Sequence, residues 1–191
     1  MPEEGALIIF EDPAQFDAWL HDNGDKETEL WIKYARKGSG IRTITYAEAL
    51  DIALCHGWID GLVRSVDETY YSQRWTPRTP RSKWSKRNCA KVEELIAAGK
   101  MLPAGLKEIE KAKADGRWDA AYAGPATIEV PADLVEALDA NPRAAEFFKT
   151  LNSQNRYAVL LRIHDAKRPE TRRKRIAQFV EMLAEGRKLY S

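Results

Sequence analysis

Between Arg74 and Lys91 the chain carries seven Lys or Arg and no Asp or Glu, although its formal net charge is only +1. A local excess of one sign in a balanced chain points to an anion as partner. Pro77 and Pro80 fix the backbone there, and Trp75 and Trp84 supply flat apolar faces. Ser85 is the residue type that caps a helix, so the segment predicts a rigid, positively charged surface at a helix N-terminus. The expected ligand surface comprises Trp58, Asp60, Arg74, Arg78, Ser82, Trp84, Ser85 and Asn88. The arginines and the Ser85 helix start would hold an anion, the tryptophans would wall the pocket, and Asp60 and Asn88 would orient or select. Removing Arg78 is then expected to weaken binding with little loss of fold.

The same stretch admits other readings. One is a merely solvated basic face, which needs neither the tryptophans nor the prolines. Another is a nucleic-acid groove combining phosphate contacts with aromatic stacking, against which the near-neutral charge and the lack of a nucleic-acid motif both count. Asp60, at an apolar strand start, needs a partner if buried. Arg74 or Arg78 on the opposing strand could supply a bidentate pair that anchors the hairpin, or Asp60 could serve as a ligand-site acid or base. Cys55-His56 invites a thiol–imidazole reading, but neighbours on a helix do not face each other, and a helix C-terminus raises a thiol pKa. Packing is therefore the expected role of Cys55; Cys89 lies in the first turns of a helix in a basic stretch, which favours thiolate, yet packing is its expected role too. His21 and His164 have no second ligand at metal spacing, so neither a metal nor a cofactor is expected. Arg172-Arg173-Lys174-Arg175 reads as the solvated face of an amphipathic helix, with partner or membrane-surface binding as the alternative.

The elements that must position these residues follow from caps and periodicity. Ala6 to Phe10 reads as a strand. Asp12 and Pro13 open a helix with Phe16, Trp19 and Leu20 inward. Thr28 to Ala35 alternates, with Leu30, Ile32 and Tyr34 on one side and Trp31 on the other. Thr45 and Glu48 form a capping box for a helix burying Tyr46, Ala49, Leu50 and Ala53 and stopping at Gly57. Trp58–Val66 and Thr69–Trp75 read as a hairpin around Asp67-Glu68, with its register left open. Ser85 opens a helix with Val92, Leu95 and Ile96 inward, and Pro103 another with Leu106 and Ile109 inward. Ala123 to Glu129 breaks the pattern as a linker. Four helical patterns follow, marked by Leu134, Val135 and Leu138, by Phe147, Phe148 and Leu151, by Tyr157, Leu160, Leu161 and His164, and by Ile176, Phe179, Val180 and Leu183.

The expected fold is therefore α+β. A small mixed sheet with helices fills an N-terminal domain over 1–122, and an all-helical module follows over 131–191. The 191 residues suffice for a real core, and no apolar run reaches membrane-spanning length. The start, Met1-Pro2-Glu3-Glu4, lacks the basic and apolar regions of an export signal, so a cytoplasmic location is expected. Two cysteines read as free thiols in a reducing compartment, with one disulfide between them left open.

Two sets of motifs carry a family resemblance. Ala53-Leu54-Cys55-His56-Gly57-Trp58-Ile59-Asp60-Gly61, Arg74-Trp75-Thr76-Pro77-Arg78 and Ser82-Lys83-Trp84-Ser85-Lys86-Arg87-Asn88 form the first, with Gly99–Leu106 after them. Ala166–Ile176 forms the second. Together they resemble the bacterial YdeI/OmpD-associated family, also called bacteriocin-protection or OmdA-like. The resemblance implies protection against peptide toxins and association with an outer-membrane porin, and it brings no established reaction, cofactor or catalytic residue. His56 departs from the aromatic more usual in that family. The function expected is a stress- or toxin-protection protein that binds a small anionic ligand or protein partner. An enzyme acting on a small anionic or phosphorylated substrate and a nucleic-acid-binding accessory protein are the alternatives. Turnover would mark the first, and steep salt dependence the second.

Overall fold

The computed structural model describes residues 7–190. The chain divides into two compact units, the first ending at Ala121 and the second starting at Tyr122. The first contains β1 (Leu7–Ile8), α1 (Pro13–Asn23), β2 (Leu30–Ala35), α2 (Tyr46–Cys55), β3 (Trp58–Ser65), β4 (Tyr70–Pro77), α3 (Lys86–Ala97) and α4 (Pro103–Ala114). Its four strands form one mixed sheet in the order β1-β2-β4-β3, with β1 parallel to β2 and the other pairs antiparallel.

Local chemistry sets the element ends. Asp12 accepts a hydrogen bond from the Gln15 N–H ahead of Pro13, and Thr45 and Glu48 close a full capping box. Gly57, at φ 76°, turns the chain from α2 into β3 in a conformation that a side chain would strain. The hairpin is closed by Asp67, whose Oδ1 accepts from the N–H groups of Thr69 and Tyr70 at 2.8 and 2.7 Å. This side-chain turn closes the hairpin without a glycine, and the β3–β4 register shifts at a bulge between Asp60 and Val63.

Register then sorts the two faces of the sheet. Leu30 pairs with Trp75, Ile32 with Gln73 and Tyr34 with Tyr71. These side chains share the inward face, where α1 and α2 add Phe16, Leu20, Leu50 and Leu54 to the core. The Trp75 indole donates to the Tyr34 hydroxyl at 3.0 Å inside that core. Trp31 and Arg74 share the opposite face, and the Arg64 guanidinium lies 4.4 Å over the Trp31 ring.

The second unit consists of α5 (Ala132–Asp139), α6 (Pro142–Thr150), α7 (Ser153–His164) and α8 (Pro169–Ala184). Leu134, Leu138, Phe148, Val159, Leu160, Ile163, Ile176, Phe179 and Leu183 form a core of its own, with Phe147 packed against it and Leu161 half-buried. Asn141 and Asn152 cap α6 and α7. Asp133 grips Arg172 through two hydrogen bonds of 2.5 and 2.8 Å, which joins α5 to α8. Asn155 is buried and ties the chain end down, donating to the Tyr190 carbonyl and accepting from the Tyr190 N–H.

The α+β class expected from the sequence is the one observed. Some inward assignments differ. The first strand is shorter than expected, and Ala6 lies outside the described residues. Ile96, Leu106 and Val135 are exposed rather than inward. In α4 the reason is a close approach. A Cβ on Gly105 would lie 2.4 Å from the Cys55 carbonyl oxygen, so α4 presses its backbone onto the end of α2. The buried stripe is therefore Gly105–Ile109–Ala112, rotated one residue away from Leu106.

Candidate functional site

The basic segment folds into a structured loop leading into α3. Ser82 Oγ accepts from the Thr79 N–H at 2.9 Å, and the Ser82 N–H returns to the Thr79 carbonyl. The Arg78 N–H donates to the Gly57 carbonyl at 2.9 Å, which fixes the loop to the turn before β3. Arg117 clamps the loop from beneath, donating to the Ser82 carbonyl at 3.0 Å while paired with Asp115. Ser85 then caps α3 by accepting from the Asn88 N–H at 3.1 Å.

Within this loop the structure brings Arg78 and Trp84 together. The Arg78 guanidinium lies 3.5 Å over the Trp84 ring and donates to the Lys83 carbonyl at 3.2 Å. Trp118 covers the indole from another side, with ring centroids 5.0 Å apart. Arg78 is 7% exposed and Trp84 2%, so both are interior groups. The expectation that Arg78 can be removed with little loss of fold does not suit this burial. Trp84 Nε1 is buried without a hydrogen-bond partner among the described residues. Asn88 is buried in the first turn of α3, whereas Arg81, Lys86 and Arg87 are exposed around it. The first turn of α3 contains no acidic residue, so the positive end of its dipole is not offset there.

The remaining residues of the expected surface stand elsewhere. Trp58 is a core residue whose indole donates to the Gly24 carbonyl at 3.2 Å and meets Trp19 edge-on. Asp60 pairs in register with Trp75 and shares its inward face, while Arg74 points to the other face. The expected Asp60–arginine pair is therefore replaced on both sides. Asp60 Oδ2 accepts from the Tyr46 hydroxyl and from Gln73 Nε2, each at 3.2 Å. Arg74 instead pairs with Glu29 at 2.7 Å. Alternation along β4 is the cause: neighbouring residues on a strand cannot serve one face. Tyr34 and Tyr46 line the same inward polar cluster. Burial, with the Asp60 charge as a minor contributor, pushes the Tyr34 pKa far above its ordinary value.

Cys55 is buried at the end of α2, and burial, followed by the charges of Asp51 and Asp17, pushes its thiol up to about 11. At neutral pH it is a protonated thiol, which suits packing and not nucleophilic attack. Its neighbour His56 meets Asp17 on α1, with Nε2 and Oδ1 2.8 Å apart. Nothing in the sequence signals that pair, because the partners lie 39 residues apart. Arg117 and Trp118 escape sequence reasoning too, although a Trp two residues after the Gly116 helix stop is a usable hint of packing. Among the described residues no His, Cys, Asp and Glu cluster could hold a metal ion, and no helix is long and apolar enough to cross a membrane.

A four-stranded mixed sheet carrying a clamped basic loop, followed by a separately cored helical unit, describes the class of protein. Residues 8–108 match the family described as Domain of unknown function (DUF8412), and with more than half of its length matched the chain belongs to that family. Residues 127–186 match the family described as Bacteriocin-protection, YdeI or OmpD-Associated, which supports the YdeI/OmpD-associated assignment. The second match contains the Ala166–Ile176 motif, whereas the motifs from Ala53 to Asn88 fall within the first. No curated protein and no solved structure matches the chain.

Proposed function

We propose that this protein is a cytoplasmic stress- or toxin-protection protein of the YdeI/OmpD-associated type, acting by binding an anionic ligand or partner at the start of α3. The observation that carries this reading is the construction of that helix start. Its N-terminal amides lack an acidic neighbour, exposed Arg81, Lys86 and Arg87 surround it, and buried Arg78 and Trp84 hold the loop rigid. Oriented amides plus preplaced cations suit phosphate-like oxygens. The binding machinery in this reading is Arg78, Ser82, Trp84, Ser85 and Asn88 with the three exposed cations; Trp58, Asp60 and Arg74 stay outside it.

Pyrophosphate is a suitable probe. Titrated into the labelled protein, it should shift the backbone amide signals of Lys86, Arg87 and Asn88. Replacing Lys86 and Arg87 together by Ala should weaken that binding about tenfold, since two half-solvated charge contacts contribute roughly 0.5–1 kcal/mol each. Arg173→Ala, on α8, should leave it unchanged. In cells, protection against a challenge should fall with the Lys86/Arg87 variant and persist with Arg173→Ala. Pyrophosphate binding that is indifferent to Lys86 and Arg87 would remove the basis of this reading.

A further inference from the structure

Away from the α3 start, the first unit has a concavity of different electrical character. It is a groove of about 520 Å³ between α1 and α2, lined also by the end of α3 and the segment after it. Asp17 and His21 from α1 and Glu48, Asp51 and Ile52 from α2 line it, with Cys55, Leu95, Lys100 and Leu102 beneath and beside them. Helical spacing explains the assembly: Pro13, Asp17 and His21 recur every fourth residue along α1, and Glu48, Ile52 and His56 do so along α2. Three carboxylates thus share the groove with Lys100, two histidines and the apolar Ile52, Leu95 and Leu102.

We propose that this groove binds a small organic amine, its protonated nitrogen held by Asp17, Glu48 and Asp51 and its apolar body laid on Ile52, Leu95 and Leu102. Several observations support a cation over an anion. Glu48 uses only Oε2 in the capping box, accepting from the Thr45 N–H and hydroxyl. Asp51 lies 3.7 Å from Lys91, a loose pair whose carboxylate is 40% exposed. His56 has a side chain only 8% exposed and is oriented by Asp17 through Nε2, so in the neutral ring Nδ1 is left as an acceptor. After burial, the main cause of the raised Cys55 pKa, the charges of Asp51 and Asp17 push it up more than Lys100 pulls it down. A groove of this size, apolar below and polar at few points, has the form of a small-molecule site.

The chain's three histidines make the test direct, because His21 and His56 line the groove and His164 belongs to the second unit. The probes are 3-methylbutylamine and 4-methylpentanoate, which have similar apolar bodies and opposite charges. In imidazole nitrogen–proton spectra of the full chain, the amine should move the His21 and His56 signals saturably and leave His164 in place. The carboxylate should move none of them. Asp51→Asn should raise the amine's dissociation constant about fivefold, the scale of one partly solvated charge contact. Asp17→Asn, which also releases His56, should raise it at least as much. An amine that moves neither histidine, a carboxylate that moves them equally, or dissociation constants unchanged in both variants would overturn the proposal. The Lys86/Arg87 variant should bind the amine normally, which separates this site from the one at α3.

Discussion

At the scale of single residues, burial decides what a charged or reactive side chain can do. Arg78 looks like a surface ligand group in the sequence, yet it is an interior cation stacked on Trp84. Arg78→Ala should therefore cost about 1–3 kcal/mol of stability, from the lost stacking, the lost hydrogen bond to the Lys83 carbonyl and the emptied volume. Urea unfolding would measure it, and an unchanged midpoint would show that the guanidinium contributes nothing to the fold. Cys55→Ala should cost about 1 kcal/mol through packing alone and leave pyrophosphate binding intact. The thiol also has a signature in pH. Its pKa rises from 9.0 to about 11 in the folded state, so the folded protein holds this proton more strongly than the unfolded chain. The stabilisation is complete below pH 9 and is lost as pH climbs towards 11. Tyr34, raised from 10.0, acts in the same direction at the upper end. Melting temperature should fall across that window, and the fall should be shallower in Cys55→Ala.

At the scale of elements, caps and close approaches govern. Ser85 provides the side-chain acceptor that starts α3, so Ser85→Ala should lower stability by about 1 kcal/mol, while Ser85→Asp should restore it. Ser85→Asp should at the same time weaken pyrophosphate binding, because it places a carboxylate at the positive helix end. A stable variant that binds pyrophosphate as well as before would argue against the helix start as the anion site. Gly105 makes a different point. Ala there would drive a methyl into the carbonyls of Cys55 and Leu54, at 2.4 and 2.6 Å, so α4 must move off the end of α2. A loss of about 2–3 kcal/mol is expected, the cost of overpacking against backbone. Because that contact also sets the end of α2 where Cys55 lies, the His56 imidazole signals should shift in Gly105→Ala.

At the scale of the whole molecule, two cores define two units. Among the described residues the second has four helices, two of them with proline at the first turn, and an ion pair between its first and last helix. Residues 122–191 alone should therefore show a helical circular dichroism spectrum and a cooperative thermal transition. A gradual, non-cooperative melt would mean that the helical core is not sufficient by itself. The nearly neutral chain thus hides a division of charge within its first unit: a cationic helix start at α3 and a carboxylate-rich groove between α1 and α2.

What the sequence determined by itself is what depends on near neighbours. The Asp12, Thr45 and Ser85 caps, the Gly57 stop and the alternation of β2 are statements about residues a few positions apart. Each fixed its element, and with them the α+β class and the inward face of Leu30, Ile32 and Tyr34. The tertiary structure alone decided whatever depends on the distance between elements. Asp60 took Tyr46 and Gln73 in place of an arginine because strand register, set by the Asp67 turn and the bulge after Asp60, put Arg74 on the other face. Leu106 turned outward because Gly105 lets two helices touch. His56 met Asp17 because α1 and α2 pack side by side. Periodicity shows which face of an element is apolar, but not which partner waits opposite a polar group, and that partner is fixed only when the whole core is packed.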